Sequence, residues 1–401
     1  MPESKPHIIR LAHKVELNPT EEQRLYFARA CGVARFAYNW ALRQWMDKRA
    51  AGSKPNDPAL RRQLNAIKES EFPWMSEVTK CAPQQAIRNL GTAFSRFFRQ
   101  QSKHPRFQKK GLHDSFRADN GPPDKSSSAV EVAGCSVFLP RIGEVRMKEA
   151  LRFKGRVISC TISRVAHKWF ASFQVEVDHV LPARENQAVV GVDLGVTVLA
   201  TLSDGTVFEN PKALRSQLRK LKRLQQAVAR KRKGSANRRK ACLKVAQLHY
   251  HIRCLRQDTL HKLTTFLVRN YAVIGIEHLN VSGMLKNRRL SRAIADVGFY
   301  EFRRQLEYKA KLYGVRVVVA DRWFPSSKTC SECGCVKDSL SLSERMWTCA
   351  ECGARHDREL NAACNLEIMA GSHPVTACGE VVRLGRNIER TSKKQERKLV
   401  A

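Results

Sequence analysis

The sequence predicts an α/β protein of several domains, and three patterns lead there. Residues 18–110 and 211–270 carry helical periodicity. About 113–185 the chain breaks into short β-branched runs. Three apolar strands, in AVVGVDL, AVIGIE and VRVVVA, then alternate with helices. At 401 residues there is room for two or three cores, by the usual ~100–200 residues per domain. A hydrophobic fraction of 43% excludes a wholly disordered basic polypeptide.

Taken in order, His7–Leu17 reads as a strand with interleaved basic residues. Asn18, Pro19 and Glu21 open a helix, Asn18 as the cap and Pro19 at its first position. Phe36, Trp40 and Leu42 are core candidates, and Phe36, Tyr38, Trp40, Phe94 and Phe97 are also candidates for stacking on bases. Lys103–Lys110 is a loop with a Phe among cations. Strands are expected at Ala129–Val132, Ser136–Leu139, Gly143–Met147, Arg156–Ser163 and Lys168–Val177, as a small barrel or sandwich. Leu181–Asn186 reads as a linker. Ala188–Leu202 reads as a buried strand, a turn and a second strand, followed by a hairpin turn at Ser203–Thr206.

From Pro211 to Asn270 a helical hairpin is expected around Gly234-Ser235. Leu214, Leu218, Leu221, Gln225 and Val228 mark one face, and Leu248, Ile252, Leu255 and Leu263 the return. Ala272–Glu277 and Val315–Ala320 are buried strands, Leu290–Tyr313 a single helix, and His356–Met369 a last helix. From Gly371 the chain is polar and basic without periodicity, which predicts loose order.

The charge narrows the function. Lys and Arg number 72 against 37 Asp and Glu, a net charge of +35. Solubility needs only ~2–8 net charges per small domain. The excess therefore predicts a polyanionic partner, most simply a phosphate backbone. Between Lys212 and Lys240 there are 13 Lys/Arg and no acid, which points the same way. No apolar run approaches the ~20 residues of a membrane span, and no secretory signal or lipidation motif is present. A soluble protein without a membrane partner is expected.

Cys330-x2-Cys333 and Cys349-x2-Cys352 form two knuckles that can offer four thiolates to a tetrahedral Zn²⁺ at ~2.3 Å. Such a site is closed, so its zinc would be structural. Cys335 reads as a bystander, and the remaining cysteines as small buried hydrophobes.

Asp193 and Glu277 end strands that are otherwise apolar. A carboxylate in buried β-structure is costly unless it is paired or binds metal. Asp357 and Glu359 open the last helix, where Ala362 and Ala363 allow close packing on a sheet. Three such acids could hold two Mg²⁺ ions about a scissile phosphate. No nucleophile triad and no phosphate-binding G-x-x-x-x-G-K-[ST] loop is present.

Together CGVARFAYNWAL, PRFQKKGLHDSFR (Pro105–Arg117), GVDLGVTVLATLSDG, GIEHLN, the paired knuckles, HDRELNAACNL and PVTACGE (Pro374–Glu380) resemble the TnpB (OrfB) family. These are insertion-sequence RNA-guided nucleases related to type V CRISPR effectors, and the resemblance spans nearly the whole chain. It implies an RNase H-like RuvC domain with a zinc-ribbon insert, plus a wedge β-barrel and a helical recognition lobe. The implied domains are a wedge strand at 1–17, the recognition lobe at 18–112 and the wedge barrel at 113–186. They continue with the RuvC domain at 187–370, with a helical lid at 211–270 and the zinc insert at 325–355, and a basic tail at 371–401.

The partners implied are a guide RNA from the protein's own element and target double-stranded DNA, recognised beside a short flanking motif, in the bacterial cytoplasm at the nucleoid. Asp193 and Glu277 take the positions of the first two catalytic acids. The third is the second Asp of a D-R-D-x-N-A-A pattern, and here that residue is Glu359, with Asp357 retained before it. The extra methylene shifts the carboxylate by about one C–C bond in a site whose metals sit ~3.5–4 Å apart. Either Glu359 or Asp357 could then be the third ligand. The alternative to an active nuclease is a nuclease-impaired, RNA-guided DNA-binding repressor.

Overall fold

The computed structural model describes residues 7–120, 130–182, 188–341, 343–372 and 381–383. The segment Pro374–Glu380 and most of the basic tail lie outside them, as does most of the expected linker at Leu181–Asn186. The chain divides into two compact units, Met1–Val180 and Leu181–Ala401.

The first unit begins with strand β1 (His7–Leu17) and three helices: α1 (Glu21–Ala50), α2 (Asp57–Glu71) and α3 (Cys81–Phe98). Strands β2 (Ser115–Asp119), β3 (Glu131–Ala133), β4 (Ser136–Leu139), β5 (Gly143–Arg146), β6 (Arg156–Val165) and β7 (Lys168–His179) follow. They form two antiparallel sheets, β1-β7-β6-β2 and β3-β4-β5, joined by a bridge between Leu17 and Met147. The described strands thus make two sheets joined where the end of β1 meets the end of β5, in the segment where the sequence suggests a barrel or sandwich. The β1–β7 register runs unbroken from His7 opposite His179 to Leu17 opposite Trp169.

The cap of α1 differs from expectation. Thr20, not Asn18, is the N-cap, because its hydroxyl accepts from the Gln23 N–H while Gln23 Oε1 accepts from the Thr20 N–H. This reciprocal pair satisfies two otherwise orphaned donors. The stacking candidates are drawn into packing. Phe94 lies flat on Trp45 at 4.2 Å, Phe36 meets Phe72 and Trp74 edge-on, and Tyr38 is buried. Phe97 packs on His104, and Trp40 sits half-buried against the same core.

The second unit is built on the sheet β10-β9-β8-β11-β12-β15. Its strands are β8 (Val189–Leu194), β9 (Val198–Leu202), β10 (Val207–Glu209), β11 (Val273–Ile276), β12 (Arg316–Val319) and β15 (Val381–Arg383). β10, β9 and β8 pair antiparallel, whereas β8, β11, β12 and β15 run parallel. β11 and β12 are buried along their whole length, as parallel strands covered on both faces should be.

Helices α4 (Ala213–Ala229) and α5 (Ala236–Asn270) form the expected hairpin. Its core is Ala213, Leu221, Leu248 and Ile252 with Leu214, Leu224 and Val245, while Gln225 and Leu255 face solvent. The stripe drifts from Leu221 to Leu224 because 3.6 residues per turn does not keep a strict heptad. α6 (Val281–Met284), α7 (Ser291–Val297) and α8 (Phe299–Tyr313) follow. The single helix expected over Leu290–Tyr313 is broken at Gly298, whose φ of +81° is left-handed. The short strands β13 (Met346–Thr348) and β14 (Arg355–Asp357) then lead into α9 (Arg358–Gly371).

A candidate metal centre at the strand ends

Two glycines decide where α9 sits. A Cβ on Gly191 of β8 would stand 1.9 Å from the Ala363 carbonyl oxygen, and one on Gly275 of β11 would stand 2.3 Å from that of Leu366. The helix backbone therefore rests directly on the two central strands. Side chains alternate along a strand, so Asp193 and Glu277 point to the same face as Gly191 and Gly275, one step nearer the strand ends. The parallel register sets Val192 beside Ile276, which puts Asp193 and Glu277 on neighbouring strands ~4.8 Å apart. Glu359 lies one turn before Ala363, on the helix face turned to the sheet.

The three acids influence one another electrostatically, although their oxygens are not all within 4.8 Å of each other. The Asp193 carboxyl is pushed up to about 8, first by burial and then by the Glu277 and Glu359 carboxylates, with Arg358 and Arg345 opposing. Glu359 pairs with Arg345 at 2.6 Å. Glu277 Oε1 accepts from the Ser326 hydroxyl. Asp357 is occupied differently: it is the N-cap of α9, and its Oδ1 accepts from the N–H groups of Glu359 and Leu360 at 3.0 Å each. The three carboxylates are hard oxygen donors, offset only in part by Arg345 and Arg358, and a donor set of this kind suits a divalent cation.

Among the described residues, one set of His, Cys, Asp or Glu groups has its donor atoms mutually within 4.8 Å: Cys330, Cys333, Cys349 and Cys352. Cys330–Cys352 and Cys333–Cys349 are each 3.6 Å apart between sulfurs. The edge of a tetrahedron with ~2.3 Å metal–sulfur bonds is about 3.8 Å. Backbone N–H groups of Cys352 and Glu351 draw the Cys349 thiol down to about 7. The buried His356 lies 3.0 Å by Nε2 from Cys330 Sγ and packs against Trp347 across the β13–β14 pair. Cys335 stays outside the set but accepts the Cys330 N–H through its carbonyl.

A polar ladder joins the knuckles to the acids, and its members carry no sequence signature. Asn361 accepts from the Ser331 N–H and donates to the Thr329 carbonyl. Asn365, a turn later, donates to the carbonyls of Thr329 and Ser326. Ser326 in turn holds Glu277. Ser326, Asn361 and Asn365 are all buried. The one available cue is the four-residue spacing that sets Asn361 and Asn365 on one face of α9.

Three sequence profiles match the chain. They are described as "Probable transposase" (OrfB_IS605) over residues 172–288, "Cas12f1-like, TNB domain" over 299–366 and "Helix-turn-helix domain" (HTH_OrfB_IS605) over 9–54. The last segment folds here as β1 and the long helix α1. A protein of Streptomyces pristinaespiralis named "Putative RNA-guided DNA endonuclease" is 39% identical over 393 residues, covering 96% of this chain and 95% of that protein. The chain belongs to the TnpB family. InsQ of Escherichia coli (strain K12), with the same descriptive name, is 34% identical and covers 94% of this chain and 96% of its own. The fold is that of the solved Cas12f1–sgRNA–target DNA complex, with a TM-score of 0.58 at 11% identity, covering 90% of this chain and 99% of that one.

Proposed function

We propose that this TnpB-family chain is an RNA-guided DNA endonuclease whose cutting centre is Asp193, Glu277 and Glu359. The observation that carries this reading is the seat of α9 on Gly191 and Gly275, which sets the start of that helix against the ends of β8 and β11 where Asp193 and Glu277 stand. The sheet order β10-β9-β8-β11-β12, antiparallel and then parallel, supports an RNase H-like domain of RuvC type. The first unit would supply the wedge and the recognition lobe.

When bound, Mg²⁺ ions supply an activated water and stabilise the leaving oxygen of an in-line phosphodiester displacement. Asp193, once deprotonated, would hold the ions together with Glu277 and Glu359. Ser326 holds the Glu277 carboxylate in one orientation. Arg345 orients the Glu359 carboxylate through their 2.6 Å ion pair. Asp357 remains the helix cap, so Glu359 is the third ligand. The four cysteines would hold a structural Zn²⁺ beside the β14–α9 junction, from which Glu359 projects.

The partners are a guide RNA, from the protein's own element, and target duplex DNA. Base pairing reads the sequence, so the chain needs phosphate contacts above all. The net charge of +35 and the acid-free run from Lys212 to Lys240 supply them. No helix among the described residues is long and apolar enough to cross a membrane. The repressor alternative draws no support from the geometry, because none of the three carboxylates is lost.

The test is to purify the protein, sequence the RNA that accompanies it, and challenge a matched plasmid in Mg²⁺. Cutting should be abolished by Asp193→Ala and by Glu277→Ala with RNA binding retained. Full cutting by either variant would overturn the assignment.

A further inference from the structure

Trp323 is 80% exposed, the most exposed of the large apolar side chains among the described residues. A ring left in water contributes nothing to the core, so its placement calls for another explanation. It stands in the turn after β12. The Ala320 N–H donates to the Ile276 carbonyl at 2.9 Å, which sets the start of this turn beside Glu277. Asp321 fixes the turn by accepting the Trp323 N–H at Oδ1 (2.9 Å) and the Phe324 N–H at its carbonyl (3.1 Å). The turn ends at Ser326, the residue that holds Glu277. The Arg322 guanidinium sits 5.0 Å from the centre of the Trp323 ring and makes no ion pair among the described residues. Arg322 also lines both clefts that flank Glu277, of about 480 and 200 Å³.

An exposed indole with a free cation, on a rigid turn at the mouth of a nuclease centre, is a stacking platform. We infer that Trp323 and Arg322 capture an unpaired base of the DNA strand beside the scissile phosphate, with Arg322 on the neighbouring phosphate. This rests on the endonuclease reading above. Single-stranded DNA fits because its bases offer free faces, which paired and stacked bases do not, and because aromatic faces accept any base. An enzyme that cuts wherever its guide directs needs that tolerance.

The test uses the full chain loaded with its guide RNA on matched duplex DNA. In an Asp193→Ala background, 2-aminopurine is stepped through each DNA strand around the cut position. One position should show quenched emission with Trp323 present, bright emission with Trp323→Ala, and quenching again with Trp323→Phe. In the cutting protein, Trp323→Ala should slow single-turnover cleavage ~10- to 100-fold, the range for one lost base–aromatic stack, and Trp323→Phe should recover most of it. The exposed position predicts an unchanged melting temperature, which removes misfolding as an explanation.

Equal cutting by wild type and Trp323→Ala, or no DNA position whose emission responds to Trp323→Ala, would overturn the inference while leaving the nuclease reading intact. Absence of Mg²⁺-dependent cutting by the wild type would instead overturn the reading beneath it.

Discussion

Replacing Asp193 by Asn should flatten a pH dependence that the metal-free protein carries. The Asp193 carboxyl is held up to about 8 against an ordinary value of 3.8. The folded state therefore keeps a proton over that window that the unfolded chain has released. Folded stability falls as pH rises through it, by about 1.4 kcal/mol per unit. Between pH 5 and pH 7 the loss reaches about 3 kcal/mol. For a unit of this size that is a shift of roughly 6–12 °C in melting temperature. Other groups titrate alike in both proteins, so the difference between wild type and Asp193→Asn isolates this one. The assay is thermal unfolding in a chelator at pH 5, 6 and 7, repeated with excess Mg²⁺. Wild type should lose stability with pH and regain it with Mg²⁺, while Asp193→Asn should do neither. Parallel profiles for the two proteins would refute the claim that a half-buried, crowded carboxylate lies at the strand ends.

Four further outcomes are expected. Glu359→Ala should slow cutting about a hundredfold or more, whereas Asp357→Ala should mainly cost about 1 kcal/mol of α9 capping, both read by single-turnover cleavage beside thermal melts. Gly191→Ala should destabilise the second unit by about 1–3 kcal/mol, measured by denaturant unfolding, because its Cβ has no room against the Ala363 carbonyl. Stripping zinc with a chelator, or Cys330→Ser, should weaken Mg²⁺ affinity along with stability, seen by isothermal titration, since the knuckle and Glu359 share the β14–α9 junction. Asp296→Ala should loosen the α4–α5 hairpin, raising amide exchange at Leu214 and Arg215. Asp296 accepts both of their N–H groups and pairs with Arg256 at 3.1 Å, and unsatisfied buried partners cost about 3 kcal/mol together.

The candidate centre was legible in the sequence where a residue type was physically out of place. Asp193 and Glu277 announced themselves as charges in apolar strands, and the knuckles as paired thiols at metal-binding spacing. Ala362 and Ala363 foretold the close seat of α9, although the glycines beneath them, Gly191 and Gly275, drew no notice. What stayed hidden depended on contacts distant in sequence. Ser326 and Asn365 look like ordinary polar residues until the fold brings them to Glu277 and Thr329. Asp296 resembles any helix acid until α4 arrives at its carboxylate. The aromatics of α1 and α3 have the same spacing whether they pack inward or face a base, and only tertiary packing settled that Phe94 covers Trp45. Gly298 could have been read as a helix stop. Its break was masked by the strong periodicity of α8 on its far side.

The most direct measurement counts Mn²⁺ bound to the guide-loaded chain by electron paramagnetic resonance, with Mn²⁺ standing in for Mg²⁺. If Asp193, Glu277 and Glu359 form one centre, wild type should withdraw Mn²⁺ from solution, and Asp193→Ala should return it to the free signal. Unchanged Mn²⁺ uptake by Asp193→Ala would place the metal elsewhere and contradict the carboxylate centre.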